Sequence, residues 1–494
     1  MTTPTRAALL AATLAAVAGL AGCASAPPEP AADPALLPAQ WYAPLPHNGR
    51  LADLTGWWQQ FDDPVLSQLI DASQSVSPTL ATARSRLAQS QATRTGAGAA
   101  LLPTLDASAS ATRGRTDFVT PLATTTSAGL QTAWEIDVFG AGRAGRDAAQ
   151  YRLEGAEASW HDARVSVAAE TANAYLGLRA CEAQLVQTEA DAASRAETAR
   201  LTGLSAQAGF QPPADAALAR ASAAQGASLL TAQRAQCDIA VKGLVALTAI
   251  DEPALRTRLA AGTARLPQPA ELAIDSVPAE VLNQRPDVFN AARELGAASA
   301  EVSQARAKRL PRVTLAGSIS RARVDLGDAT QSGTVWSVGP LAVTLPIFDA
   351  GLRRANVDAA RARYDEASSL YRAKLRTAVQ EVEQALVQLD SSAARTENAR
   401  IADEGFEQSF RATEARFKGG LASLFELEDA RRSAVLAHGT LIDLQRERVA
   451  AWITLYRALG GGWRTGTPVA DATPAATPAA TRVDDRAGPT TATP

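Results

Sequence analysis

Ile136-Asp137-Val138-Phe139-Gly140-Ala141-Gly142 closes one amphipathic stretch of this 494-residue chain, and Leu345-Pro346-Ile347-Phe348-Asp349-Ala350-Gly351 closes a second, 209 residues on. Each is a run of large apolar residues that stops at a glycine, and each opens a long Ala-rich, Pro-free stretch. The echo extends on both sides. Leu102-Pro103-Thr104-Leu105 returns as Leu310-Pro311-Arg312-Val313, 208 residues later. Gly209, Ala219 and Arg220 return as Gly420, Ala430 and Arg431, 211 residues later. An offset that drifts so little over more than a hundred residues marks two copies of one unit.

The residues before each glycine alternate as strands do. Ala128, Leu130, Trp134, Ile136 and Val138 share one parity, with Ser127, Gly129, Gln131, Glu135 and Asp137 on the other. Leu105 to Thr112 alternates Leu and Ala with Asp, Ser and Thr, and Val313, Leu315 and Ile319 alternate with Thr314, Ser318 and Ser320. A fourth strand, about Thr334 to Phe348, reads as apolar on both faces and contains Pro340. After the glycines the period changes to helical. Leu375, Val379, Val382, Leu386 and Leu389 repeat at 4-3-4-3 spacing, the seam of a coiled coil. From Gly351 to about Lys418 this predicts a helix of about 100 Å, broken at Gly419-Gly420 and returning from Leu421 to Leu459. In the first copy the break falls at Gly209-Phe210-Gln211-Pro212-Pro213. Each copy therefore reads helix, two strands, very long helix, turn, helix.

Strands with one apolar and one polar face can cross an outer membrane at a tilt, apolar face to lipid. Four of them cannot close. Lipid offers no partner to an open sheet edge, so other subunits must supply one. Three subunits give twelve strands, the smallest symmetric ring that clears the eight-strand limit and leaves a lumen. Long hairpins with unburied flanks ask for the same neighbours and would form a tube beneath the barrel. The expected fold class is thus mainly α with a transmembrane β portion, a trimeric twelve-stranded barrel continued by a helical tunnel.

The termini and composition narrow the setting. Arg6 precedes the apolar run Ala7 to Leu20, too short to span a bilayer and fit for a secretory signal. It ends in Leu20-Ala21-Gly22-Cys23, which resembles a lipobox and marks Cys23 as the lipidation site; an ordinary signal peptide with an incidental cysteine is the other reading. By the same resemblance, Ala24 in place of aspartate points to the outer membrane. The expected divisions are a signal peptide (1–22), a lipidated extended leader (23–46), a first repeat (47–250), a connecting segment (251–275), a second repeat (276–463) and a Thr/Ala/Pro-rich disordered tail (464–494). A net charge of −3 gives no electrostatic reason to expect nucleic acid. Three His and three Cys give little material for a metal site or thiol enzyme, and no cofactor is expected. His47, His161 and His438 are far apart, and none neighbours a plausible nucleophile.

Further motifs carry a family resemblance: Gly56-Trp57-Trp58 with Phe61-Asp62-Asp63-Pro64, Arg285-Pro286-Asp287-Val288 leading to Leu310-Pro311, and Arg416-Phe417-Lys418-Gly419-Gly420-Leu421. With the glycine-terminated runs, these resemble the TolC-like outer-membrane factors, in the NodT/OprM-like lipoprotein branch that serves RND-type efflux pumps. The resemblance covers Cys23 to about Trp463. It implies a homotrimeric, non-enzymatic export duct in the outer membrane, with a closed periplasmic tip that opens when an adaptor protein and an inner-membrane RND pump dock. It also implies adaptor contact at Arg416, Phe417, Lys418, Gly419, Gly420 and Leu421, and at Gly209 and Phe210. The first copy departs from the family at its turn, where Gln211-Pro212-Pro213 replaces the usual sequence. A type I secretion channel and a periplasmic coiled-coil structural lipoprotein are the competing readings.

Three features have a sharp and a bland reading. Gly140-Ala141-Gly142-Arg143-Ala144-Gly145 matches the G-x-G-x-x-G of dinucleotide sites, but the second strand and acidic residue of a Rossmann unit are missing. The bland reading is a turn from strand into helix. Cys181 and Cys237 are equidistant from Gly209, so a hairpin reversing there sets them opposite one another. They read as a disulfide in an oxidising compartment, or as two unrelated buried thiols. Asp429 and Arg432, with Phe425, match the positions that form the closed constriction in the OprM-like branch. Their bland reading is a surface pair at i, i+3.

Overall fold

The computed structural model describes residues 42–43, 54–115, 122–269, 285–326 and 329–464. Cys23, the expected signal peptide, most of the leader and the tail beyond Arg464 lie outside these residues.

Helices α1 (Pro64–Val76) and α2 (Pro78–Ala99) each begin on a proline, whose lost N–H is an orphan at a helix start anyway. Asp63 caps α1 by accepting from the amides of Val65 and Leu66 at 2.9 and 3.1 Å, and Ser77 caps α2. Strands β1 (Thr104–Gly114) and β2 (Ala123–Ile136) follow, then α3 (Ala141–Gln207), α4 (Pro213–Thr248) and the short α5 (Glu252–Leu259). The second copy runs α6 (Pro286–Ala307), β3 (Arg312–Leu326), β4 (Ala329–Thr344), α7 (Leu352–Lys418) and α8 (Leu424–Ala458). Among the described residues, its one helix before the strands stands where the first copy has α1 and α2.

The four strands form one antiparallel sheet in the order β1-β2-β3-β4. Registers Ala107↔Leu130, Leu130↔Ile319 and Ile319↔Trp336 set four apolar side chains in one row on one face. The adjacent row, Asp106, Gln131, Ser318 and Ser337, is polar and lies on the other face. Trp336, Ile319 and Leu130 are 70%, 51% and 45% exposed, so within one chain the apolar face is bare. β1 and β4 each have one unpaired edge.

Two strand expectations need correction. β4 is not apolar on both faces. Trp336 and Val338 share a face with Leu341 and Val343, because the register shifts between Leu315 and Gly317, opposite Gly339-Pro340. The bulge absorbs one residue there, so even and odd positions exchange faces and the sequence parity looks broken when the face is not. The strand also stops at Thr344, before Leu345 to Phe348. Likewise β2 ends at Ile136, and Asp137 leaves the sheet to cap α3, accepting from the amides of Gly142 and Arg143 at 2.9 and 2.8 Å. Asp349 does the same for α7, accepting from Gly351 and Arg353.

Both long helices, α3 and α7, have 67 residues, about 100 Å of rise. The short helices share out their flanks: α2 and α6, 22 residues each, lie along the ends nearest the sheet, and α4 and α8, 36 and 35 residues, along the far ends. The coiled-coil seam is buried as spaced, with Leu375, Val382, Leu386 and Leu389 inside and Val379 partly so. Burying each such side chain contributes about 1.5–3 kcal/mol. The largest core cluster sits where the short helices meet; there Trp57 stacks on Tyr456 at 4.5 Å and meets Phe61 edge-on at 4.9 Å.

The same level holds two buried arginines. Arg179 donates to the Tyr175 hydroxyl at 2.9 Å and to the carbonyls of Leu259 and Ala261, tying the connecting segment to α3, while Tyr175 donates to Asp63 at 2.6 Å. In the second copy Arg285 pairs with Asp287 at 2.8 Å and Glu381 at 2.6 Å and donates to the Ala458 carbonyl. Burial alone would raise the Asp287 carboxyl, but Arg285 and Lys374 hold it down at about 2. Among the described residues, no helix is long and apolar enough to cross a membrane, and no cluster of three His, Cys, Asp or Glu could hold a metal ion.

Candidate functional site

Both hairpins turn by the same device. Gly209 and Gly420 have φ of +78° and +74°, which only glycine adopts without strain. Around the first, Gly209 N–H donates to the Ala206 carbonyl and Phe210 N–H to Ser205; around the second, Gly420 donates to Phe417 and Leu421 to Arg416. These are the paired closing bonds of a Schellman turn in both copies. The returning helices start differently. α8 opens with a capping box, Ser423 and Glu426 each bonding the other's backbone amide. α4 opens on Pro212-Pro213 with no side-chain cap.

Of the residues the family resemblance assigns to the adaptor, Phe210 and Leu421 protrude, 83% and 73% exposed. Gly209, Gly419 and Gly420 shape the turns. Arg416 donates to the Leu421 carbonyl at 3.1 Å and Lys418 pairs with Glu414 at 3.1 Å. Phe417 points the other way, packing with Phe410, Ala199, Ala219, Leu424 and Leu427 in an apolar cluster that joins the two hairpins at their tips.

The residues that the resemblance places at the constriction lie in the first turns of α8. Asp429 and Arg432 approach to 3.8 Å and both are exposed, as is Phe425. Within one chain they are a loose surface pair. Directly behind them is a buried polar node that sequence reasoning missed. Arg431, 1% exposed, ion-pairs with Glu428 and donates to Ser194 and Thr198 of α3 at 3.1 and 3.0 Å. Arg195 of α3 pairs with Asp191 at 2.7 Å and with Glu428 at 3.2 Å, and donates to Ser222 of α4, which itself donates to Glu428 at 2.8 Å. Arg431 also lies 5.6 Å over the Phe410 ring of α7. The node therefore joins all four hairpin helices. Its sequence signal was Arg431 as the repeat of Arg220, flanked by opposite charges at helical spacing.

Cys181 and Cys237 are bridged, Sγ–Sγ 2.07 Å with Cα atoms 5.6 Å apart, linking α3 to α4. The Gly140 to Gly145 run serves helix entry. Gly140 caps α3 at φ +79°, and a Cβ on Gly142 or Gly145 would strike Leu101 or Gln304 within 2.6 Å. Among the described residues the sheet is antiparallel and has no crossover strand, so no dinucleotide site is built there.

The sheet has one apolar face and two open edges, and each copy continues it with one 67-residue helix. The sequence profile described as Outer membrane efflux protein matches residues 69–249 and 277–461. The chain belongs to the outer membrane efflux protein family. It is 29% identical over 470 residues to the pyoverdine export outer membrane protein OpmQ of Pseudomonas aeruginosa, spanning 90% of this chain and 95% of that one. To nodulation protein T of Rhizobium leguminosarum bv. trifolii it is 27% identical over 430 residues, 85% and 90% of the two chains. Among solved structures, the outer-membrane channel OprN superposes with a TM-score of 0.79 at 27% identity, covering 89% of this chain and 99% of that one. The outer membrane protein VceC of Vibrio cholerae gives 0.73 at 25%, covering 83% and 99%.

Proposed function

We propose that this chain trimerises into a passive duct, the outer-membrane channel of a tripartite efflux system, anchored by lipid on Cys23 and docked at its hairpin tips by a periplasmic adaptor and an RND-type pump. One observation carries the reading: a bare amphipathic sheet with two unpaired edges, rooted in helices too long to bury their own flanks. A lone sheet of this kind in lipid leaves its edge N–H and C=O groups unsatisfied at several kcal/mol each. Pairing β4 of one chain with β1 of the next, three times over, removes every edge.

The efflux family supports the channel reading, and the names of its relatives range over pyoverdine, toluene, solvent and antibiotic export. A duct that discriminates little among cargoes fits that spread, with selectivity residing in the pump. Phe425, Asp429 and Arg432 gate the periplasmic end, and Phe210, Leu421 and the turns between them are the docking face. The test is fractionation of cells expressing the full precursor. The expected result is a heat-modifiable, detergent-resistant oligomer of three chains in the outer membrane, acylated at Cys23 by intact mass and replaced by uncleaved precursor in Cys23→Ser. A monomer in the periplasmic fraction overturns the channel; an unmodified N-terminus within 24–46 overturns the anchor alone.

A further inference from the structure

α6 ends and α7 begins at the foot of the sheet, where β3 starts at Arg312 and β4 stops at Thr344. Between the two helices lies a cleft of ≈ 240 Å³ lined by Glu301, Gln304 and Lys308 on one side and Arg353, Asn356 and Arg363 on the other. Three cations thus face one carboxylate, and that carboxylate is already engaged, since Arg152 holds Glu301 at 2.7 Å. Arg353 is braced by Asp349 at 3.1 Å. Lys308 and Arg363 enter no ion pair among the described residues. Two free cations and two amide side chains around one small cleft make a receptor for an oxyanion.

The surroundings say which oxyanion. The connection from β4 to α7 carries Leu345, Ile347, Phe348 and Leu352, all exposed, in the residues that run from the end of the sheet directly to Arg353 of the cleft. Apolar side chains adjoining a cationic cleft at the foot of a lipid-facing sheet match a molecule with acyl chains and a phosphate. We propose that this cleft binds the phosphate of a phospholipid headgroup in the periplasmic leaflet of the outer membrane. Lys308 and Arg363 neutralise the charge, Gln304 and Asn356 donate to remaining phosphate oxygens, and Ile347 and Phe348 lie along the acyl chains. The proposal rests on the reading that β1 to β4 span that membrane.

Native mass spectrometry of the mature oligomer in detergent tests it, with three probes: phosphatidylglycerol, diacylglycerol and inorganic phosphate. Wild type is expected to retain phosphatidylglycerol and not diacylglycerol. Lys308→Ala with Arg363→Ala should weaken retention at least about tenfold, the loss of charge-assisted hydrogen bonds. Asn356→Glu, which replaces an amide donor by a carboxylate facing the same anion, should weaken retention as well. Equal retention by wild type and both variants overturns the proposal. Displacement of the lipid by equimolar inorganic phosphate overturns it too, since the cleft then takes a free anion. Gel migration of the same samples separates the two readings: an intact trimer that fails to retain lipid sinks only the cleft, whereas a wild-type monomer sinks the membrane span.

Discussion

Hairpins α3–α4 and α7–α8 share a length, a Schellman turn and a common ancestry in the sequence, yet they are held by different chemistry. The first carries the Cys181–Cys237 bridge and turns on an apolar corner, Phe210, Pro212 and Pro213. The second has no cysteine, a charged capping box, and Phe425, Glu428, Asp429 and Arg432 where the first has Ala214, Ala217, Leu218 and Ala221. Even the shared arginine diverges: Arg431 is buried in the tip node, while its repeat Arg220 is exposed. A covalent link is indifferent to salt and to a docking partner. Ion pairs are not. The duplicated plan thus holds one hairpin to itself by a covalent bridge and ties the tip of the other to it by buried ion pairs.

The largest expected effect breaks the arginine pair apart. Arg431→Ala leaves Glu428 and Asp191 buried with only Arg195 beside them, and should cost about 3 kcal/mol. Arg220→Ala, on an exposed face, should stay within about 0.5 kcal/mol. Hydrogen exchange at the α3 and α8 tips in the detergent-solubilised oligomer reads both, and equal protection in the two variants would dissolve the contrast. The bridge is of comparable size. Cys181→Ser with Cys237→Ser should destabilise the first hairpin by about 2–4 kcal/mol in the chain-entropy account. Peptides from α3 and α4 should lose protection while those from α7 and α8 keep it, and matched losses in both hairpins would mean that the bridge serves the whole tunnel.

The level where the short helices meet sharpens the comparison through pH. In the second copy Asp287 titrates at about 2 against an ordinary 3.8, because Arg285 and Lys374 outweigh its burial. A depressed carboxyl stabilises the fold above its unfolded pKa, and that contribution fades as pH falls from about 4 to about 2. The difference is worth about 2 kcal/mol. Acid titration of oligomer stability should therefore show a component over that window that vanishes in Asp287→Asn. An unchanged acid profile in that variant would place the acid-sensitive group elsewhere.

Period and repetition made much of the fold legible in the sequence. The 4-3-4-3 seam of Leu375 to Leu389, the glycine breaks and the 208-to-211 offset are local or one-dimensional signals, and each reports directly on a helix, a turn or a copy. The parity of β4 failed for a local reason as well: a bulge at Gly339-Pro340 exchanges the faces midway, and alternation cannot register an inserted residue. The tip node was illegible for a different one. Asp191 and Arg195 come from the first copy, Glu428 and Arg431 from the second, and only the packing of α3 against α8 brings them together. Charges at i, i+3 and i, i+4 look the same on a solvated helix face as in a buried junction. Burial decides, and burial is a property of the pair of hairpins.

The smallest effect on stability is expected at the constriction, and it discriminates best between the hairpins. Asp429 and Arg432 are 3.8 Å apart and mostly exposed, so as a pair within one chain they are worth at most about 0.5 kcal/mol. If they close the channel, their weight comes from the symmetry axis, where three copies meet and each charge faces a neighbour's partner in a narrow, poorly hydrated ring. Asp429→Ala with Arg432→Ala should then leave oligomer stability unchanged and raise single-channel conductance in planar bilayers severalfold. The same change should sensitise cells to bulky antibiotics such as vancomycin. Leu218→Ala, the matching position of the first hairpin, should leave conductance as it is. Because Arg431 and Glu428 stay in place behind the mutated pair, the hairpins keep their mutual packing, and a wider aperture cannot be ascribed to a melted tip. Wild-type conductance from a stable double variant would return Asp429 and Arg432 to an ordinary i, i+3 surface pair. A rise in Leu218→Ala equal to that in the double variant would show that both hairpins line the aperture, and the division of labour between the two copies would have to be drawn elsewhere.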